Sequence, residues 1–342
     1  MRVVMSSAKP RASIRRIGSH VRMKKFHRRS SVPHIVPQAV RVLLLVVLTG
    51  CTTSEKTGGG DSSPLRSAAL TVVSLNLRYD NSGDGVNAWP NREAAVIEAL
   101  DSFHADVIGL QEALPHQAEV VRSGLPGHAM LIRTRELDPS TGEATPILWR
   151  TDRWKLDPRA HGTFWLSETP EVSGSRSWDS SLPRIATFAR LIPIGSNDGR
   201  SAVWIYNTHF DHRGGEARLE SARLLRARIE AHVDPTEPVV LMGDFNAVPT
   251  STPIREIVSV DDSTRIPLVD CWAIKNADEP KNATWNGFDP IEVGRRIDFI
   301  FASDLEIENA TIERPLVDGR PISDHWPVRV IFNEQPEGST VR

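Results

Sequence analysis

Cysteine is nearly absent from this sequence: its 342 residues hold only Cys51 and Cys271. With so few thiols a disulfide framework is excluded, and stability has to come from a buried core. Long hydrophobic runs are missing too. The one sustained apolar run, 42–48, is too short for a bilayer-spanning helix, which needs about 20 residues. It does suit the apolar core of an export signal. Acid is missing from the first 41 residues, where eleven Lys and Arg residues stand. Beyond position 70 there is no internal repeat and no second low-complexity linker, so one domain is expected. Against these absences, a content of 39% hydrophobic and 25% charged residues describes an ordinary globular protein rather than a disordered chain.

The basic leader followed by 42–48 predicts export. Met23-Lys24-Lys25 opens a signal of more usual length and is a candidate start. Leu48-Thr49-Gly50-Cys51 closes the apolar run and resembles the lipobox of bacterial lipoproteins, in which the cysteine carries lipid and becomes the mature N-terminus. A plain signal peptide with an incidental cysteine is the alternative. The expected organisation is a signal with lipobox at 1–51, a Ser/Thr/Gly-rich tether at 52–69, a catalytic domain at 70–335 and a tail at 336–342. Without the leader, 30 basic residues face 43 acidic ones, a formal charge of −13. Such a body disfavours extended binding to a nucleic-acid backbone, which relies on many Lys and Arg contacts.

Apolar runs bounded by polar turns predict strands near 71–77, 106–110, 202–207, 238–242, 297–301 and 327–332. Ala222, Leu225, Ile229 and Val233 recur at helical spacing and predict a helix over 216–232, ended by Asp234-Pro235. Arg223, Arg226 and Arg228 on that helix read as a solvated face. Trp89, Trp165, Trp178 and Trp285 stand in turn-rich segments and could stack a base or sugar, though core packing is the commoner use. Cys271, among apolar neighbours, reads as a structural thiol. There are too few helices between strands for a purely parallel sheet, so a mixed-sheet α/β architecture is expected.

Several predicted strands end in polar groups where a buried strand should continue apolar or turn: Asn76, Glu112, His209, Asp244 and Asn246. Asp298 interrupts an apolar strand, and Asp324-His325 precedes another. Such charges are costly unless paired or bound to a cation. Asp244 and Asn246, two apart in an extended segment, share one face.

The segments Val73-Ser74-Leu75-Asn76, Gly109-Leu110-Gln111-Glu112, Asn207-Thr208-His209-Phe210, Gly243-Asp244-Phe245-Asn246, Arg296-Ile297-Asp298-Phe299 and Ser323-Asp324-His325 together resemble the ordered motifs of the endonuclease/exonuclease/phosphatase superfamily. The resemblance implies a deoxyribonuclease-I-like fold: a four-layer sandwich of two packed mixed sheets flanked by helices. It implies Mg²⁺ (or Mn²⁺) held by Glu112, with Asn76 and Asp324 assisting. In the implied catalytic set Asp244 orients and deprotonates water, Asn246 and His209 contact the phosphate, and His325 donates to it with Asp298 as its orienting partner. Arg184, His212, Asp211 and Arg92 are further candidates for the substrate rim.

The expected function is metal-dependent hydrolysis of a phosphomonoester or phosphodiester by an exported, monomeric protein that meets the membrane only through its lipid. A small phosphorylated substrate is favoured by the acidic body; a secreted nuclease and a non-catalytic surface-binding module are the alternatives. The anchor is testable by metabolic labelling with a fatty acid: the wild type takes up label and Cys51→Ala does not, and equal labelling removes the lipoprotein reading.

Overall fold

Side chains of a strand alternate between its two faces, and here both faces of two sheets find apolar partners. The computed structural model describes residues 70–195 and 201–333. The leader, Cys51, the tether and the C-terminal tail lie outside the described residues. In chain order the elements are β1 (Leu70–Asn76), α1 (Glu93–Ser102), β2 (Val107–Gln111), α2 (Pro115–Gly124), β3 (His128–Leu131), β4 (Ile147–Arg150), β5 (Trp154–Trp165), β6 (Ile185–Pro193) and β7 (Val203–His209). Then follow α3 (Gly215–His232), β8 (Val239–Asp244), α4 (Thr252–Val258), β9 (Val269–Asp270), α5 (Cys271–Lys275), β10 (Asp298–Ser303), β11 (Ile307–Ile312), β12 (Leu316–Val317), β13 (Arg320–Pro321) and β14 (Val328–Phe332).

Two six-stranded sheets result, ordered β11-β14-β1-β2-β4-β3 and β5-β6-β7-β8-β10-β9, and β12 with β13 forms a separate ribbon. Each large sheet is mixed in the same way. One parallel pair, β1 with β2 or β7 with β8, is joined by a crossover helix, α1 or α3, and the other strands pair antiparallel.

Alternation along these strands generates three cores. Val72, Val107, Ile205, Val240, Met242 and Ile300 fill the space between the sheets. Val73, Leu75, Ile108 and Leu110 point the other way, onto Val96 and Leu100 of α1 and Val121 of α2. Tyr206, Leu241, Phe299 and Phe301 meet Leu225 and Ile229 of α3 and Ile254 and Ile257 of α4. Helix, sheet, sheet and helix therefore stack as the expected four layers. Each large apolar side chain so buried contributes about 1.5–3 kcal/mol.

The expected strands and the long helix are present with ends shifted by at most two residues. Arg223, Arg226 and Arg228 of α3 pair with Glu220, Glu230 and Glu171, so that face is an ion-paired surface. Cys271 is fully buried, and burial pushes its thiol pKa up, as a structural cysteine requires. Trp89 and Trp165 are core residues. Among the described residues no helix is long and apolar enough to cross a membrane.

Two glycines fix how closely the elements approach the rim. At Gly109 a Cβ would lie 2.6 Å from Met242 Cε and 2.9 Å from Asn207 Cγ, so side chains of the other sheet pack there directly on the glycine backbone. At Gly243 φ is +147°, and a Cβ would lie 2.0 Å from the Thr208 carbonyl oxygen on the parallel neighbour. That clash is with backbone, which cannot swing aside. Gly243→Ala should therefore lower unfolding free energy by about 3 kcal/mol or more in urea denaturation. A loss below about 1 kcal/mol would show that β7 and β8 can separate without cost.

Candidate active site and metal centre

The same alternation that packs the core delivers polar groups to one rim. On the inner faces Val72 and Ser74 are followed by Asn76, Ile205 and Asn207 by His209, and Val240 and Met242 by Asp244, while Asp298 opens β10 ahead of Ile300. The register pairs His209 with Asp244 across β7 and β8, and Asp298 with Asp244 across β10 and β8. Three strand ends thus set their side chains side by side. Glu112 and Asn246 follow β2 and β8 with φ of 54° and 47°, left-handed conformations that a non-glycine residue adopts at a cost. These turns carry their side chains into the cleft.

Asp244 is 1% exposed, Asp298 2% and His325 4%. His325 Nδ1 lies 2.9 and 3.1 Å from the two carboxylate oxygens of Asp298, leaving Nε2 3.9 Å from Asp244 Oδ2. Asn76 spans the next gap, donating through Nδ2 to Glu112 Oε1 at 3.2 Å and to Asp244 Oδ2 at 3.1 Å. Glu112 is held further by the Tyr79 N–H at 3.1 Å, and Asp244 by the Asn246 N–H at 2.8 Å. Ser323, donating to the Asn76 carbonyl at 2.6 Å, ties the segment bearing Asp324 and His325 to the end of β1.

Burial, and then the neighbouring charge of Asp298, push Asp244 up to about 7. Burial raises Asp324 as well, with Glu112 adding to it. Burial alone would lower His325, but Asp298 and Asp244 outweigh it and hold the imidazole well above its ordinary value, so it is a cation at neutral pH. His209 is displaced the other way, by burial and then by the charges of Arg184 and Arg135, and is neutral. It accepts from Asn246 Nδ2 at Nε2, 3.0 Å away, and that nitrogen lies 3.4 Å from Asp244 Oδ2.

Arginines line the same cleft. Arg184, 4% exposed, donates through Nη2 to His212 Nδ1 at 3.0 Å, and its Nε is 3.6 Å from Asp211 Oδ2. Nε and Nη1 have no hydrogen-bond acceptor. Beside it Arg135 grips Glu143 through two contacts of 2.6 and 2.8 Å. Glu112, Asp244 and these arginines, with Arg78, Tyr79, Trp285 and Arg295, enclose a cleft of about 530 Å³ that admits a small molecule.

The donor set fits a divalent cation. Asp244, Asp298 and His325 bring ligand-type atoms within 4.8 Å of one another, the one such cluster among the described residues; the imidazolium can ligate only after losing its proton, so the carboxylates, with Glu112 and Asp324 lining the same cleft, are the first donors. Hard cations take carboxylate oxygens, and the burial and neighbouring negative charge that raise Asp244 and Asp324 are what a positive ion offsets.

The model of the Endonuclease/Exonuclease/phosphatase family matches residues 73–325. This chain belongs to that family. It is a phosphoric ester hydrolase with a buried Asp/Asp/His candidate metal site. The Bacteroides vulgatus endonuclease/exonuclease/phosphatase is 29% identical, with a TM-score of 0.70 over 78% of this chain and 100% of that one. The Bacteroides thetaiotaomicron mannosyl-6-phosphatase Bt3783 is 30% identical, with a TM-score of 0.67 over 77% and 99%. Protein angel homolog 2 of Danio rerio is 24% identical over 205 residues, 55% of this chain, which spans 34% of that protein's length.

In this family member the cleft gathers Glu112, His209, Asp244, Asn246, Asp324 and His325 with Arg184 and His212. Asn76 and Asp298 sit directly behind them. Arg92 is the correction. Its guanidinium is buried and spent on the carbonyls of Asn87, Leu77, Ile322 and Arg78, where it braces the strand-end loops instead of meeting substrate. Asp211 is no rim residue either: its carboxylate accepts from Ser180, Ser181, Leu182, Arg213 and Gly214 and pins two loops together. Arg78, Arg135 and Glu143 were not foreseen. They lie in loops where charged and turn residues mix, and no periodicity marks them.

The Asp211 contacts have a measurable consequence. Burial pushes its carboxyl up, but the Gly214 N–H, the Ser181 hydroxyl, the Arg213 N–H and the Arg184 charge outweigh burial and hold it well below the ordinary range. A depressed carboxylate contributes stability above its unfolded pKa and loses that contribution as pH falls. Asp211→Asn should cost about 2–4 kcal/mol at pH 7. The gap between calorimetric scans of the two proteins should begin to narrow near pH 4, where free aspartate protonates, and close only as pH falls through the depressed folded value; a gap independent of pH would show that the charge is not what stabilises.

Proposed function

We propose that this phosphoesterase hydrolyses a small phosphorylated substrate with Mg²⁺ or Mn²⁺, outside the cytoplasm and tethered through lipid on Cys51. The observation that carries the reading is the Asp298–His325–Asp244 arrangement, with Glu112 beside it, at the floor of an enclosed cleft. A protein that kept the fold only for binding would have no use for an imidazolium buried against two carboxylates.

Glu112, with Asp324 and Asn76 in support, is the candidate holder of the cation, which when bound supplies charge to offset the phosphate and the departing oxygen. The remaining work falls to side chains. Asp244, with its raised pKa, orients the attacking water and takes its proton. The His325 cation donates to a phosphoryl oxygen as negative charge develops there, and Asp298 keeps the ring aimed. Asn246 and His209, bonded to each other beside Asp244, meet the phosphate. Arg184 presents fixed positive charge at the cleft wall.

Support for a small substrate is twofold. The body without its leader carries a formal −13, and the relative from Bacteroides thetaiotaomicron is named a mannosyl-6-phosphatase, which points to sugar phosphates. A panel of phosphoesters assayed with Mg²⁺ or Mn²⁺ and a chelator control tests this directly. Asp244→Ala and His325→Ala should each lower turnover at least about a hundredfold. Since the two act as one unit, the double variant should be little worse than the poorer single one. On the best substrate kcat/KM should change less than about tenfold between 50 and 200 mM salt. Near-wild-type turnover in Asp244→Ala, or a steep salt slope with preference for DNA or RNA, would overturn the proposal.

A further inference from the structure

Many arginines of this chain are answered by a carboxylate: Arg122 by Glu119, Arg190 by Glu237 and Asp157, Arg296 by Asp270. Arg218, Arg255 and Arg295 have no carboxylate at ion-pair distance among the described residues, and they gather in one place. A second cavity, of about 670 Å³, is lined by Arg218 from the first turn of α3, Arg255 from α4 and Arg295 from the segment before β10. It meets the catalytic cleft at Asn246 and Arg295, which line both. Its one acidic lining residue is Glu216.

Position and contacts say more than charge alone. Arg218 Nη1 donates to the Asp211 carbonyl at 2.8 Å, which fixes that guanidinium at the cavity wall. The Arg295 guanidinium lies 5.8 Å from the Trp285 ring centroid, braced by an aromatic face and by no anion. Arg255 is exposed, with no side-chain hydrogen bond among the described residues. In a strongly acidic body, where counter-charge is plentiful, three guanidiniums converging without it leave a local positive field that an anion would neutralise. Guanidinium suits oxyanions, because its fork of N–H donors matches phosphate and carboxylate oxygens.

We propose that this cavity is a second anion subsite, which takes a phosphate or carboxylate carried on the leaving group of the substrate whose phosphoester is cleaved in the adjoining cleft. The proposal rests on the small-phosphoester reading and narrows it to bis-anionic substrates. A leaving group passing over Asn246 would carry its anionic end between Arg255 and Arg295, and attraction at that distance adds to binding whether or not the chemistry has begun.

Two pairs of esters test it: fructose 6-phosphate against fructose 1,6-bisphosphate, and glycerol 3-phosphate against 3-phosphoglycerate. The first pair adds a phosphate and the second a carboxylate. In each pair the bis-anionic member should have a kcat/KM higher by about tenfold or more, carried by KM, the scale of one added charge contact. Arg255→Glu should cut that preference at least about fivefold, with kcat/KM on the member with a single anionic group moving less than about twofold. Equal kcat/KM within both pairs, or equal losses on all four esters in Arg255→Glu, would overturn the subsite. Calorimetric titration of fructose 1,6-bisphosphate into Asp244→Ala, with and without Arg255→Glu, separates the two readings. Absence of turnover on all four esters removes the small-phosphoester reading, and the subsite then stands or falls on whether Arg255→Glu weakens the titration.

Discussion

Negative charge buried between two sheets is the constraint from which the rest of this structure follows. Asp244 and Asp298 face each other across paired strands with almost no solvent contact, in surroundings where an unpaired carboxylate is strongly disfavoured. The imidazolium of His325 answers part of that charge, and the amide of Asn76 and the N–H of Asn246 answer more. What stays unanswered appears as the raised pKa of Asp244 and of Asp324. Holding the arrangement takes backbone in costly shapes, at Arg78, Glu112 and Asn246, where φ is positive. Each such residue costs on the order of 1–3 kcal/mol, an amount that three apolar cores can absorb.

Between the apolar core and the charged rim lies a neutral polar layer. Gln111 donates to Asn207 at 2.7 Å and to Ser74 at 3.2 Å, and Asn207 donates to the carbonyls of Leu110 and Pro146 at 2.8 Å each. These groups occupy the inner-face positions just below the catalytic side chains. They stiffen the strand ends through contacts that cross from one sheet to the other, which apolar residues could not direct. Gly109 belongs to the same layer, since the sheets approach there too closely for any side chain.

The parts of this architecture that were legible in the sequence are those governed by period-two alternation and by charge at strand ends. The central strands β1, β2, β7, β8, β10 and β14 are near-continuous apolar runs, and their terminal Asn76, His209 and Asp244 stand out because an apolar run should not end that way. The edge strand β5 was illegible for the opposite reason: its sequence WKLDPRAHGTFW is polar, contains proline, and pairs with β6 through a register shift between Leu156 and His161. Arg92 was misjudged because sequence does not distinguish an arginine that meets phosphate from one that collects carbonyls. Arg135 and Glu143 find each other only through the folding of the loop between β3 and β4.

The finished cleft carries charge of both signs, and that mixture bears on how a phosphate can lie in it. Glu112, Asp324 and Asp244 would repel a bare phosphate, while Arg184 and Arg135, which line the same cleft, attract one. A phosphate would meet the carboxylates favourably only with a cation beside it, which Glu112 and Asp324 would hold and which would supply charge to offset the phosphate. Arg184 would need no such intermediary, and Asp244 would orient the attacking water. Neutral His209 suits its place 3.4 Å from Asp244, because a second imidazolium there would compete with a cation for that carboxylate. Its neutrality is set first by burial and then by Arg184 and Arg135, so the arginines that attract phosphate also help to keep this neighbouring imidazole uncharged.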